Sequence, residues 1–238
     1  MTQGTDTQKQ KKPQGGFLGN LAFNIIIPVI VLSRFSGEDS LGPAWAIVVA
    51  LSFPILYGLW DLKSSGKVNA FSILGIVSVL LTGGISLLEL PPRYIAIKEA
   101  AIPGLIGIGV VVSQYTRWPL VRTIILNAQL IRVDELSAAL AAKGNTALFE
   151  RRLAQGSWIV ASSFFLSSVL NYLLATIILV SPPGTPEFNA ELGRMTALSY
   201  PVIAIPSMIV LMIAIWFVFA SIKRLTGKSL EEFLHDHQ

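Results

Sequence analysis

Two apolar runs, Ala70 to Leu88 and Ala100 to Val112, stand almost back to back and leave this chain little choice of fold. The first carries Gly83-Gly84 near its end. Leu90-Pro91-Pro92-Arg93 and the charged step Lys98-Glu99 divide the two, and the second runs out into Ser113-Gln114-Tyr115-Thr116-Arg117-Trp118-Pro119-Leu120-Val121-Arg122. Each run approaches the ~20 residues needed to cross a ~30 Å hydrocarbon core. An apolar pair joined by a short turn, entered and left through basic loops, predicts a membrane helical hairpin around which the rest of the chain is arranged.

Composition extends that reading to the whole chain. Of the 238 residues 13% are charged, against about 25% in an average soluble domain, and mean hydropathy is +0.64. The missing charge is missing in long blocks, so the prediction is an all-α polytopic membrane protein. The net charge of +4 does not point to nucleic acid, because the basic residues sit beside apolar runs, where they set orientation. Cysteine is absent, which excludes disulfides, thiolate catalysis and cysteine-ligated metals. The polar first sixteen residues and the lack of a small-residue cleavage pattern argue against a cleavable signal peptide.

Taken in order, residues 1–16 read as a disordered cytoplasmic tail containing Lys9, Lys11 and Lys12. Six transmembrane spans follow, at about 17–33, 42–60, 69–88, 97–116, 157–180 and 200–221. Residues 117–156 form the long polar connection between spans four and five. Leu120, Ile124, Ile125, Leu130 and Ile131 give part of it an apolar face, and Asp134 to Lys143 reads as a short helix stopped by Gly144. The connection is expected to be amphipathic helices along the cytoplasmic membrane surface, with an ordinary solvated loop bundle as the alternative. Residues 222–238 form a cytoplasmic tail in which Ser229-Leu230-Glu231-Glu232 has capping-box spacing.

Charge settles the expected orientation. With both termini inside, the inner face holds Lys9, Lys11, Lys12, Lys63, Lys67, Arg117, Arg122, Arg132, Lys143, Arg151, Arg152, Lys223, Arg224 and Lys228. Only Arg34, Arg93, Lys98 and Arg194 fall outside, a bias that places both ends in the cytosol.

The sequence resembles the bacterial intracellular septation protein A family over about residues 20 to 220. The resemblance lies in Phe23-Asn24-Ile25-Ile26-Ile27-Pro28, the Trp60 to Val68 turn, Leu81-Thr82-Gly83-Gly84-Ile85-Ser86-Leu87 and Tyr94-Ile95-Ala96-Ile97-Lys98-Glu99. Val112-Ser113-Gln114, Pro119-Leu120-Val121-Arg122, Trp158 and Asn171 continue it. The long connection and the N-terminal tail are larger than that family's pattern. The resemblance implies a bacterial inner-membrane protein linked to septation and cell-envelope integrity through contacts with other membrane proteins, and it brings no enzymatic activity.

Several residues are candidates for a site. Lys98 and Glu99 either form a polar pair lining an outer cavity or lie at headgroup level, Glu99 at a helix N-terminus and Lys98 reaching outward. Asn24, Asn171 and Gln114 are either helix-to-helix ties or ligand groups. Gly83, Gly84, Gly104, Gly107 and Gly109 are read as packing positions, since no strand precedes them and the dinucleotide spacing is absent. Pro28, Pro54, Pro103 and Pro206 kink spans, with a gate as the sharper alternative. Arg117, Arg122, Arg151 and Arg152 make the inner interface basic. His235-Asp236-His237 is a weak metal motif at a chain end, so no metal and no cofactor is expected. The expected partners are the lipid bilayer and other membrane proteins, with a homo-oligomer possible and no nucleic acid.

Two functions follow: a non-enzymatic envelope protein that docks other membrane proteins, or a small-solute or lipid transporter with a polar cavity between spans one, four and five. A membrane enzyme would need a residue set that the sequence does not offer. The topology has a direct consequence. A tag fused to either terminus is expected to survive protease added outside intact cells, and its digestion would overturn the six-span orientation.

Overall fold

The computed structural model describes residues 19, 21–65, 70–126 and 131–234. The expected tail of residues 1–16, Lys67, Leu130 and His235-Asp236-His237 lie outside the described residues. Among those described the secondary structure is helical, with no strand. The helices are α1 (Ala22–Arg34), α2 (Gly42–Ser65), α3 (Ala70–Leu87), α4 (Arg93–Ser113), α5 (Leu120–Ile125), α6 (Val133–Ala142), α7 (Thr146–Ile178), α8 (Pro186–Ser199) and α9 (Ile205–Thr226). Among the described residues four helices are long and apolar enough to cross a membrane: Gly42–Trp60, Arg93–Ser113, Thr146–Ile178 and the continuous stretch Pro186–Thr226. Ala22–Arg34 and Ile73–Leu87 are shorter apolar helices.

Prolines shape two of these helices in the same way. The first turn of α1, Ala22–Ile26, is a π-helix, and so is Tyr200–Ala204 just before α9. Each is followed at once by a proline in the first turn of regular α-helix, Pro28 and Pro206. A proline cannot donate to the carbonyl four residues back, here those of Asn24 and Val202. The chain widens instead, and the amides of Ile27 and Ile205 reach five residues back, to the carbonyls of Ala22 and Tyr200. Pro54 and Pro103 sit inside α2 and α4, which continue through them.

The chain divides into two compact units. Unit 1 comprises residues 1–90 and 181–197. In it α2 packs on both α1 and α3, and Leu32, Ala46, Ile47, Ala50, Phe188 and Leu192 are fully enclosed. Helix α8 rests on α1 where Gly193 leaves room, since a Cβ there would stand 3.1 Å from Ser33 Oγ and 3.4 Å from the Val29 carbonyl oxygen.

Unit 2 comprises residues 91–180 and 198–238. Helix α7 is its axis, with α4 and α9 packed along it. At 33 residues α7 is about 50 Å long, well beyond a ~30 Å core. It begins inside the stretch expected to be a separate polar connection and absorbs Arg151, Arg152 and Gly156. The α4–α7 seam is lined by small residues. A Cβ on Gly104 would meet Ser168 Oγ at 3.1 Å, and one on Gly107 would lie 3.0 Å from Phe165 and 3.2 Å from Phe164. On the other side of α7, a Cβ on Gly156 would fall 2.7 Å from Val218 of α9.

Gly109 offers a control, because a Cβ there meets nothing within 4 Å. Gly107→Leu is expected to lower stability in detergent by about 1 to 3 kcal/mol through overpacking, while Gly109→Leu leaves it nearly unchanged. Thermal unfolding of the two variants checks this, and equal melting would remove the seam from the account.

Candidate functional site

Polar side chains on apolar helices are where a site would form, because each needs a partner that lipid cannot give. The most buried charge described is Lys98, 8% exposed on α4. Its Nζ lies 2.6 Å from Glu99 Oε1. Side chains of consecutive helical residues point apart, so the flexible lysine stem must bend around the helix to close this pair. Lys98 is thus buried with an opposite charge beside it, the condition under which a buried charge is tolerable. Two residues further on α4, the Ser168 hydroxyl of α7 donates to the Ala100 carbonyl at 2.7 Å. Asn171 is half-buried on α7 and donates through Nδ2 to the Ser167 carbonyl at 2.8 Å. These groups belong to unit 2, whereas Asn24 sits half-buried in the π turn of α1, in unit 1.

Gln114 caps the other end of α4. Its backbone amide donates to the Val111 and Val112 carbonyls, and its Nε2 is buried with no hydrogen-bond partner among the described residues. Of the glycines, Gly83 packs tightly, since a Cβ there would come within 2.9 Å of Leu51 on α2; Gly84, like Gly109, would meet nothing within 4 Å. Gly104 and Gly107 line the α4–α7 seam.

The basic residues part company. Arg117 and Arg151 are exposed. Arg122 pairs with Glu150 at 3.2 Å, both exposed, an arrangement that contributes little. Arg152 bonds to Gln155 and lies over the Phe217 ring of α9, 5.6 Å from its centroid. Beside Arg117, the side chains of Tyr115, Trp118 and Ile124 are 82%, 74% and 71% exposed, a basic and aromatic set of the kind found at membrane–water interfaces.

No protein-family model, curated protein or solved structure matches this chain. The site therefore rests on its own geometry.

That geometry includes two arrangements that sequence reasoning missed. The first closes the connection between α5 and α7 into a compact knot. Leu136 and Leu140 of α6 pack with Phe149 and Leu153 of α7, with Val218, Ile222 and Leu225 of α9, and with Ile131 and Phe233. The apolar face of α6 is therefore spent on protein. Arg132 ties the C-terminal segment down: its amide donates to the Phe233 carbonyl at 2.8 Å, its Nη2 to the Glu232 carbonyl at 2.6 Å, and its Nη1 to Glu135 at 2.9 Å. Asn145 Nδ2 donates to the Leu225 carbonyl at 2.9 Å, satisfying one of the carbonyls that a helix end leaves open. Gly227 takes the left-handed conformation that ends α9 (φ 78°). The capping box that the spacing predicts is formed, with the Ser229 amide donating to Glu232 Oε1 at 2.8 Å. The signal in the sequence was the i, i+4 spacing of Leu136 with Leu140 and of Phe149 with Leu153; nothing local says that they face one another.

The second lies in unit 1. Asn189 of α8 is fully buried, and its Nδ2 donates to Ser36 Oγ at 3.0 Å and to the Pro43 carbonyl at 2.8 Å. Glu191 accepts from the Ser181 amide and hydroxyl at 2.9 and 2.7 Å. Both fasten the α8 segment to loops, as ties rather than as chemistry.

The knot makes the next prediction. Phe233→Ala should cost about 3 to 5 kcal/mol and open the connection around α6 to limited proteolysis, while leaving membrane insertion intact. Unaltered resistance to protease would show that the C-terminal segment does not hold the connection closed.

Proposed function

We propose that this chain is a non-enzymatic, six-crossing membrane protein of the bacterial inner membrane that works by docking other membrane proteins. On this reading α1, α2, α3, α4, α7 and α9 cross the bilayer. Helix α3, with 18 residues, reaches about 27 Å, just short of the ~30 Å core, and α1 is shorter still, so on this reading both cross where the bilayer thins locally. The knot then lies at the cytoplasmic side together with both termini, and Tyr115, Trp118 and α5 lie at the inner interface.

One observation carries the choice of docking over transport. In unit 2 three of the polar groups on the spans have partners within the protein, Lys98 with Glu99, Asn171 with Ser167 and Ser168 with the Ala100 carbonyl across the α4–α7 seam, while Gln114 Nε2 and Ser207 Oγ are buried with no hydrogen-bond partner among the described residues. A solute path needs polar groups left available to the solute. The two cavities with described linings, one bounded by Phe23, Phe53 and Tyr57 and the other by Met208, Met212 and Trp216, are apolar. The resemblance to septation proteins gives this reading its cellular setting, the division site and the envelope. Transport of a small solute or a lipid is the competing function.

Complementation separates them. The paired change Lys98→Ala with Glu99→Ala removes both charges of the ion pair together. Under docking it should restore wild-type division and envelope resistance to a deletion strain. Loss of complementation, with normal membrane levels of the variant, would favour transport through the outer mouth.

A further inference from the structure

Unit 1 carries an aromatic groove of about 470 Å³ bounded by Gly19, Phe23, Phe53, Leu56, Tyr57 and Trp60. Phe23, in the π turn of α1, stacks on Tyr57 with centroids 5.8 Å apart and tilts against Phe53 at 6.4 Å; Trp60 closes the row against Tyr57 at 5.9 Å. The π turn is one source of this shape, because a π segment widens a helix and such segments gather at functional sites. The groove has a direction. Phe53 to Trp60 spans seven residues of α2, about 10 Å along the helix axis, so it is elongated along the direction that a lipid chain takes beside a membrane helix.

Its end has a charge. Lys63 lies one turn beyond Trp60, is exposed, and stands in the same row of the helix as Leu56, seven residues back. An indole followed by a lysine near a span's end marks headgroup depth, and the lysine stem can carry its ammonium outward to the phosphate level. Apolar walls for a chain and a cation at the phosphate level together select one kind of occupant.

We infer that this groove holds one acyl chain of an anionic phospholipid, with Lys63 facing its phosphate. The inference rests on α2 crossing the bilayer and is independent of what the protein docks. Phosphatidylglycerol with brominated chains, added to the full-length protein in mixed micelles, is the probe, and phosphatidylcholine with the same chains is its reference. The quenching assigned to Trp60, taken as the difference between the wild type and Trp60→Phe, should half-saturate at an about fivefold lower mole fraction of the anionic lipid. Lys63→Gln should bring the two curves together while leaving quenching itself intact. Coincident curves in the wild type, a preference that survives Lys63→Gln, or no quenching of Trp60 by either lipid would each overturn the site. The absence of native cysteine allows the premise to be tested separately. A Ser52→Cys variant in membranes should resist a water-soluble maleimide. Ready labelling would instead remove the crossing of α2, and the groove with it.

Discussion

The seam between α4 and α7 is the contact on which unit 2 depends. Two apolar helices in lipid gain nothing from the hydrophobic effect by touching, since lipid tails are as apolar as their side chains. Association must come from close packing and from hydrogen bonds between the helices. Gly104 and Gly107 let the backbones approach, and Ser168 then reaches the Ala100 carbonyl. A larger residue at either glycine would hold the helices apart and break both kinds of contact together. Gly156 repeats the device against Val218, and so ties α9 to the same axis.

The length of α7 links this seam to the knot. A helix of some 50 Å is longer than a ~30 Å hydrocarbon core, so on the proposed topology its first turns stand outside and require burial of their own. Phe149 and Leu153 obtain it from α6, the last turns of α9 and Phe233. That is water-driven burial, worth about 1.5 to 3 kcal/mol for each large side chain. On the proposed topology one helix passes through two solvents and is held by a different force in each. In this frame α4 and α9 are fixed to a common axis, while Trp118, Met212 and Trp216 are exposed.

The polar residues illustrate how far a sequence can be read. Lys98 and Glu99 stood out because ionisable groups on an apolar helix are rare, and the structure pairs them with each other. Asn171 stood out as a polar amide within an apolar span, and it bonds back along its own helix. Asn189 did not, because its stretch looks like an ordinary polar loop, yet it is more completely buried than either. Burial of a polar residue depends on what lies across from it, and a linear pattern contains no such information. Similarly, Gly83 and Gly84 are indistinguishable in sequence. Only the first has a neighbour, Leu51, that its missing side chain accommodates.

The sequence by itself determined the helical, membrane-bound character of this protein, the approximate positions of its apolar segments, the stop at Gly144 and the capping box at Ser229. These follow from short-range rules: hydrophobic run length, the conformational range of glycine, and hydrogen bonds that close within a few residues. Tertiary structure alone decided that the polar connection continues into α7 as one helix, that α6 turns its apolar face onto protein, and that the C-terminal segment returns to Arg132, a hundred residues earlier in the chain. Those outcomes depend on which surfaces meet after the chain has folded back on itself. An apolar face at helical spacing is equally ready for lipid, for a partner or for its own chain, and only the positions of the other helices settle which of them it covers.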